Sequence, residues 1–147
     1  MSLDSVRQFF SIHAPDHTVL VTEESSATVP LAAAAHGVAP EQIAKTICVT
    51  AKDEIMLIVM SGTCRLDNRK FRNRFGTKPR MLGAEDVLAI TSHPVGGVCP
   101  FGLPSAIRIF CDESLHSFDE VIPAAGAPNA AVRIKPGRMA ELTGAEW

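Results

Sequence analysis

A loop rich in glycine and proline is the stretch whose residue types most directly suggest chemistry. Residues 92–105 have the sequence SHPVGGVCPFGLPS, with three glycines and three prolines. Two adjacent glycines let the main chain approach a ligand closely, and the prolines stiffen the loop around them. Main-chain amides that point out of such a loop can bind an anion or an oxyanion. We therefore predict an oxyanion hole or a phosphate-binding loop at Gly96, Gly97 and Val98, with an ordinary structural turn as the alternative.

Lys45 is the second residue whose position suggests a chemical role. It lies in QIAKTICV, where a helical start meets an apolar strand, beside Ile43 and Ile47. Burying an unpaired ammonium group costs free energy, so this side chain must either extend to solvent along its alkyl stem or face a cleft. In a cleft it would hold an anionic or electron-rich group.

A cysteine nucleophile is a further hypothesis for the same loop. Cys99 lies six residues after His93, which could act as its base. The sequence places no carboxylate nearby to orient the histidine, and the flanking Val98 and Pro100 are typical of a packed cysteine. These features argue against a nucleophile, and a Cys99-dependent hydrolase is kept as one alternative function.

The segment 65–80 is strongly basic, although the net charge of the chain is −2. It holds seven lysines and arginines against one acidic residue, Asp67. Such a segment is either a solvated helix face or a local contact site for a phosphate backbone, for which Arg69, Lys70 and Arg72 are the candidates. The overall charge argues against a protein that holds duplex DNA.

Length and composition predict a single globular domain over residues 1–147. With 46% hydrophobic and 20% charged residues, the chain can bury a core without disulfides. No apolar run approaches the roughly 20 residues of a membrane span, and the first residues do not resemble a secretory signal. The four cysteines form no CxxC pair, which is typical of a reducing cytoplasm. We expect a cytoplasmic protein without a membrane partner.

Known metal-ligand spacings and cofactor motifs do not occur in the sequence. The five histidines are scattered, without HxH or HExxH, and the sequence contains no GxGxxG, Walker or GxSxG motif. We therefore predict no metal site and no nicotinamide or ATP chemistry.

Helices and strands in mixed order must position these residues. SLDSVRQFFSIHA predicts a first helix, and residues 28–37 predict a second one with caps at both ends. IAKTICVTAKDEIMLIVMSG predicts two apolar strands joined by a turn, and residues 67–76 predict a basic helix. Because no regular βαβ order appears, the predicted class is α+β, with one mixed, curled or barrel-like sheet and peripheral helices.

Four segments resemble one known family in their order and spacing: QIAKT, GTCRLDNRKF, TSHPVGGVCPFGLP and AAGAPNAAVRIKP. They are similar to motifs of the YbaK/prolyl-tRNA-synthetase-associated editing domain family, which includes ProX-like aminoacyl-tRNA deacylases. The resemblance runs from about Thr28 to Leu142. Its most specific part is the lysine at position 45 followed by GGVCPFG from position 96.

This resemblance implies a free-standing deacylase that hydrolyses the ester between a wrong amino acid and the 3′ end of a tRNA, without a metal or an organic cofactor. It implies that Lys45 holds the carbonyl group or the sugar-phosphate of the terminal adenosine. The expected loop and pocket residues are Gly96, Gly97, Val98, Pro100, Phe101, Gly102, Val29, Leu31 and Ile47. Asn129 stands beside Ala130 and Ala131, where several relatives carry an acidic residue, and we expect it to bind the substrate.

The expected partner is the 3′ end of an aminoacyl-tRNA, contacted by Arg69, Lys70 and Arg72. An aminoacyl-tRNA synthetase is left open as a second partner. The main alternative function is a module that binds an aminoacyl group or a nucleotide without hydrolysing it.

Overall fold

The computed structural model describes residues 2–147, and within them five α-helices and seven strands. The helices are α1 Ser2–His13, α2 Val29–His36, α3 Asn68–Phe75, α4 Ala84–Thr91 and α5 Pro136–Thr143. The strands are β1 Leu20–Val21, β2 Ile43–Ala51, β3 Glu54–Ser61, β4 Arg80–Met81, β5 Arg108–Cys111, β6 Ile122–Pro123 and β7 Ala130–Ala131. None of these helices is long and apolar enough to span a bilayer.

The main sheet has the strand order β4-β2-β3-β5, and β6 pairs with β2 outside this path. The β2–β3 and β2–β4 pairs are antiparallel, whereas β3–β5 and β2–β6 are parallel. A second sheet consists of β1 and β7. The predicted α+β class with a mixed sheet is confirmed. The described strands do not close into a barrel, because the path ends at β4 on one side and at β5 on the other.

The β2–β3 hairpin sorts side chains into two cores because successive strand residues point to opposite faces. Cys48 and Leu57 join the larger core, which α1 and α5 cover with Val6, Phe10 and Met139. The alternate residues of the hairpin, among them Val49, Met56 and Ile58, form the second core with Phe71 of α3. The hairpin turns at Lys52 and Asp53, and Lys52 has a φ of 56°.

Two helices begin and end where the sequence predicts. The Thr28 side chain accepts a hydrogen bond from the Leu31 amide, and α2 ends at Gly37 in the left-handed conformation. The Asp67 carboxylate accepts bonds from the Arg69 and Lys70 amides, and Gly76 closes α3. The N-terminus of α2 is thereby fixed beside the edge of β2 that is described next.

One edge of β2 is only partly paired. On the side away from β3, the strand pairs with β6 at Ile43 and Ala44 and with β4 at Val49 and Thr50. The main chain of residues 45–48 between them has no strand partner on that side within residues 2–147. We call this stretch the open edge of β2.

Candidate active site

A cavity of about 330 Å³ lies along the open edge of β2, and we call it the edge cavity. Its wall includes the start of α2 with Val29, the open edge from Lys45 to Cys48, and the glycine loop at Gly96 and Val98. β4, α4, β6 and β7 complete it. This volume is at the lower end of the roughly 300–1,000 Å³ typical of small-molecule sites. The topology therefore brings the predicted lysine and part of the predicted loop to one cavity.

Lys45 is half-buried, and it lines the edge cavity rather than extending freely to solvent. Its Nζ donates a hydrogen bond to the main-chain carbonyl of Cys64, in the segment after β3. A carbonyl partner neutralises none of the charge, so the ammonium group keeps its positive charge and spare N–H donors for a ligand. Among the described lining residues, Lys45 alone belongs to the Asp, Glu, Lys and Arg types, which makes the cavity electropositive.

The glycine loop contributes two residues to the lining of the edge cavity, Gly96 and Val98. Neither N–H has a hydrogen-bond acceptor among residues 2–147, and both residues line the cavity. Gly97 differs from the prediction, because its N–H donates to the Pro94 carbonyl at 2.9 Å and its own carbonyl accepts from Gly126 at 3.0 Å. Its expected role as an oxyanion donor is therefore corrected to that of an anchor, which holds the loop in place.

The sequence predicts that three further loop residues line the pocket, but they do not line the edge cavity. Phe101 is fully buried in the larger core, where its ring packs on Phe10 with centroids 4.7 Å apart. Pro100 is buried beside it, and Gly102 packs against the main chain of Ser5 in α1. Adjacent apolar residues in a loop give no information about which of them reach the core, so the prediction of a wall at this point is corrected.

Two other predicted contact residues also lie outside the cavity lining. Leu31 is 47% exposed on the outer side of α2. Asn129 donates from Nδ2 to the Thr22 carbonyl, so its amide joins β1 to the turn before β7 and does not face the cavity. By contrast, Val29 and Ile47 line the cavity as predicted.

Thr46 is a lining residue that the sequence reasoning missed. Its hydroxyl oxygen is buried and has no hydrogen-bond partner among the residues that the structure describes. In an antiparallel ladder, hydrogen-bonded and non-hydrogen-bonded residue pairs alternate, and the pair Ala51–Glu54 that closes the two-residue turn is hydrogen-bonded. Counted from there, Thr46 and Val59 form a non-hydrogen-bonded pair, so the main-chain N–H and C=O of Thr46 point away from β3 and into the open edge. A buried polar group without a partner is costly, which suggests that a ligand or water pairs with it. Thr46 could have been identified only from the gap between β4 and β6 along the edge of β2.

His93 and Cys99 form a buried cluster behind the loop, outside the edge cavity. His93 Nε2 lies 2.8 Å from the Phe101 carbonyl, which can only accept, so Nε2 carries the proton and Nδ1 accepts from the Ser2 hydroxyl at 2.5 Å. Burial lowers the pKa of His93 and raises the pKa of the Cys99 thiol to about 12. A buried, protonated thiol is not a nucleophile at neutral pH, so the hypothesis of a Cys99-dependent hydrolase is corrected.

The buried His93 predicts that the free energy of unfolding falls as the pH drops below about 6.5. The folded-state pKa is below the ordinary histidine value of about 6.5, so the unfolded chain binds more protons in this window, and acid favours unfolding. His36 contributes in the same direction, because burial and Arg133 lower its pKa. Urea unfolding at pH 5 and pH 7.5 measures the total change in the free energy of unfolding between these two pH values. His93→Phe should be less stable at pH 7.5 and should lose part of this pH dependence. If the variant kept the wild-type difference in the free energy of unfolding between the two pH values, the prediction would be contradicted.

The predicted RNA-contacting residues lie on α3, away from the edge cavity. Arg69, Lys70 and Arg72 are exposed, and none forms an ion pair within residues 2–147. Arg74 of the same helix instead pairs with Glu146 at 3.2 Å. The structure describes no cluster of three histidine, cysteine or acidic side chains that could hold a metal.

Sequence comparison identifies relatives that are consistent with this geometry. The model of the aminoacyl-tRNA editing domain matches residues 23–142. The protein YwhH of Bacillus subtilis is 42% identical over 144 residues, which are 97% of this chain and 92% of that protein. The proline–tRNA ligase of Brachyspira hyodysenteriae is 35% identical over 81 residues, which are 54% of this chain but only 14% of the ligase.

Solved structures are similar over almost the whole chain. One, described as "a putative trans-editing enzyme for prolyl tRNA synthetase", superposes with a TM-score of 0.91 at 30% identity, covering 99% of this chain and 93% of that one. Another, described as a hypothetical protein, superposes with a TM-score of 0.87 at 29% identity, covering 97% of both chains.

Proposed function

The chain belongs to the aminoacyl-tRNA editing domain family, and on this basis we propose that it is a free-standing deacylase that hydrolyses the ester of a mischarged tRNA in trans. The observation that carries the proposal is that Lys45 lines the same edge cavity as Gly96 and Val98, two loop residues whose amides have no acceptor among residues 2–147. Its expected substrate is therefore the aminoacylated 3′ end of a tRNA.

In the proposed mechanism, the ester carbonyl oxygen lies at the Gly96 and Val98 amides. Attack on the carbonyl carbon gives a tetrahedral intermediate whose oxygen is negatively charged, and preorganised N–H donors stabilise that charge. The carbon–oxygen bond to the ribose then breaks, which releases the free amino acid and returns the ribose hydroxyl of the tRNA. Lys45 positions the substrate through its carbonyl oxygen or through the sugar-phosphate of the terminal adenosine.

The attacking group in this proposal is water, which a hydroxyl of the substrate itself can orient, and one proton of the water goes to the ribose oxygen that leaves. The described lining offers no histidine or carboxylate as a base, and the lining cysteine, Cys48, has a raised pKa because it is buried. An ester is already activated, so positioning and oxyanion stabilisation supply the catalysis without a metal or organic cofactor. The unpartnered Thr46 hydroxyl is suited to orient the attacking water.

Amino-acid selection would follow from the size of the edge cavity. Its wall is mostly apolar, with Val29, Ile47 and the small Ala130 and Ala131. Such a wall excludes side chains that are too large, whereas one methylene in an apolar pocket is worth only about 1–3 kcal/mol. We therefore expect small amino acids to be released fastest.

The test of this function is the release of amino acid from a panel of tRNAs, each charged with one wrong amino acid. The deacylase should hydrolyse at least one of them well above the rate without protein. A non-catalytic binding module would instead bind the charged tRNA tightly and saturably while cleaving none, and that result would overturn the proposal.

The exposed arginines of α3 give a prediction for tRNA binding, in which Arg69, Lys70 and Arg72 contact phosphates. Arg72→Glu should weaken the binding of all tRNAs alike. It should also reduce the slope of log Kd against log salt by about one, the effect of losing one phosphate contact. The control is Arg7→Glu, which makes the same charge change on the exposed side of α1. Equal effects of the two variants would mean that α3 has no special role in tRNA binding.

A further inference from the structure

A second cavity, of about 370 Å³, lies between α3 and the sheet, and we call it the α3 cavity. Its floor is the face of the sheet that carries Met60 and Phe110, and its wall is formed by Leu66 and by Phe71 of α3. It is separate from the edge cavity, since the two lining sets have no residue in common. The proposed deacylase mechanism leaves this cavity unused.

The α3 cavity has the aromatic lining that suits a nucleobase. Phe71 and Phe75 pack with centroids 4.5 Å apart, and Phe75 meets Phe110 edge-on at 5.1 Å, so these rings form a rigid wall. Trp147 also lines the cavity, is 40% exposed, and its ring stacks on His116 with centroids 3.8 Å apart. Aromatic side chains that are already fixed can stack on a base with little further loss of conformational entropy.

The charges around the α3 cavity favour a phosphate. Arg65 and Lys70 line it, are exposed, and form no ion pair with any residue from 2 to 147. The lining also holds Arg74, which pairs with Glu146, and two carboxylates, Asp67 and Asp112, which accept hydrogen bonds from main-chain amides and keep their negative charge. The lining therefore carries three basic side chains against two acidic ones, and Arg65 and Lys70 are exposed beside an aromatic wall. Basic groups next to aromatic rings are the combination that binds single-stranded nucleic acid.

The two cavities adjoin at a single hydrogen bond. Lys45 lines the edge cavity, and its Nζ donates to the carbonyl of Cys64, a residue that lines the α3 cavity. A ligand that places its ester beside Lys45 could therefore extend past Cys64 into the second cavity. A single-stranded RNA end has this form, with a reactive terminus joined to further bases by phosphates.

We propose that the α3 cavity binds an unpaired nucleotide of the same RNA whose ester lies in the edge cavity, with its base against the aromatic wall and its phosphate at Arg65 and Lys70. The proposal rests on the proposed function for the identity of the RNA. The site makes the protein recognise the single-stranded end as well as the acyl group. Affinity would then come from a base next to the terminal one, independently of which amino acid is attached.

Trp147 is the single tryptophan of the chain, so its fluorescence reports on the α3 cavity. The probe is the 5′-phosphorylated RNA trinucleotide CCA, titrated into the full-length protein. We expect saturable quenching, at least about tenfold weaker binding of a trimer without bases, and about five- to tenfold weaker binding of CCA by Lys70→Ala. The matched control is Lys78→Ala, a lysine of the same basic segment outside the cavity lining, which should bind within about twofold of the wild type.

A second readout uses Cys64, which is partly exposed while the other three cysteines are buried. CCA should slow the alkylation of Cys64 by N-ethylmaleimide. Absence of both quenching and protection, equal binding of the trimer without bases, or equal effects of Lys70→Ala and Lys78→Ala would each overturn the nucleotide site. Failure of the proposed function is a separate result: the wild type would bind CCA at this site but release no amino acid from any charged tRNA.

Discussion

Lys45→Ala should lower kcat/KM for amino-acid release by about 10²–10³-fold, the cost of removing one preorganised electrostatic contact from a reacting centre. Lys45 is the one Asp, Glu, Lys or Arg residue in the described lining of the edge cavity, so no neighbouring side chain of those types can replace its charge. The measurement is release of radiolabelled amino acid from a mischarged tRNA that the wild type hydrolyses, at several substrate concentrations.

Two further variants separate the ammonium group from the fold around it. Lys45→Met keeps the length of the alkyl chain and should lose as much activity as Lys45→Ala, because only the charge and its donors are removed. Lys78→Ala removes an exposed lysine elsewhere and should keep its activity within about twofold of the wild type. If Lys45→Met hydrolysed the ester at the wild-type rate, Lys45 would have no role in positioning the substrate.

Gly97→Ala should reduce both stability and activity, although the amide of Gly97 does not contact the substrate. A β-carbon at this position would lie 2.6 Å from the Ala127 nitrogen and 2.6 Å from the Gly126 carbonyl carbon. These are main-chain atoms, so the loop must move, and overpacking of this kind typically costs about 1–3 kcal/mol. A displacement of about 1 Å at Gly96 and Val98 would lower kcat by about 10²-fold, because the oxyanion donors would be misplaced.

Gly137→Ala is the matched control for this substitution. A β-carbon there meets no atom within 4 Å, and the residue is in α5, where alanine is favoured over glycine by up to about 1 kcal/mol. Urea unfolding and the deacylation assay on both variants provide the measurement. Equal activities of the two variants would show that the contact between Gly97 and residues 126–127 does not set the loop geometry.

The local elements were predictable because their signals are local. Thr28 and Gly37 bound α2, and Asp67 and Gly76 bound α3, through side-chain and left-handed caps that the sequence displays directly. The apolar runs on both sides of the turn likewise identify the β2–β3 hairpin. The position of Lys45 beside the glycine loop followed from a family resemblance, since the two are far apart in the sequence.

The finer composition of the site depends on contacts between distant segments, and these left no pattern in the sequence. The Gly97 N–H is not free for a substrate because it donates to the Pro94 carbonyl. Phe101 belongs to the core because its ring packs on Phe10 of α1. The open edge that exposes Thr46 exists because β4 and β6 each pair with only one end of β2. None of these relations follows from residue types near the position itself, because each requires the tertiary arrangement.

The most direct test of convergence on the edge cavity is a binding experiment that requires no hydrolysis. An analogue of an aminoacylated adenosine, with an amide in place of the ester, is titrated into ¹⁵N-labelled protein. We expect the amide signals of Gly96 and Val98 to shift with the same saturation curve, while that of Gly137 stays in place. Saturation of the protein with unchanged Gly96 and Val98 signals would contradict this expectation.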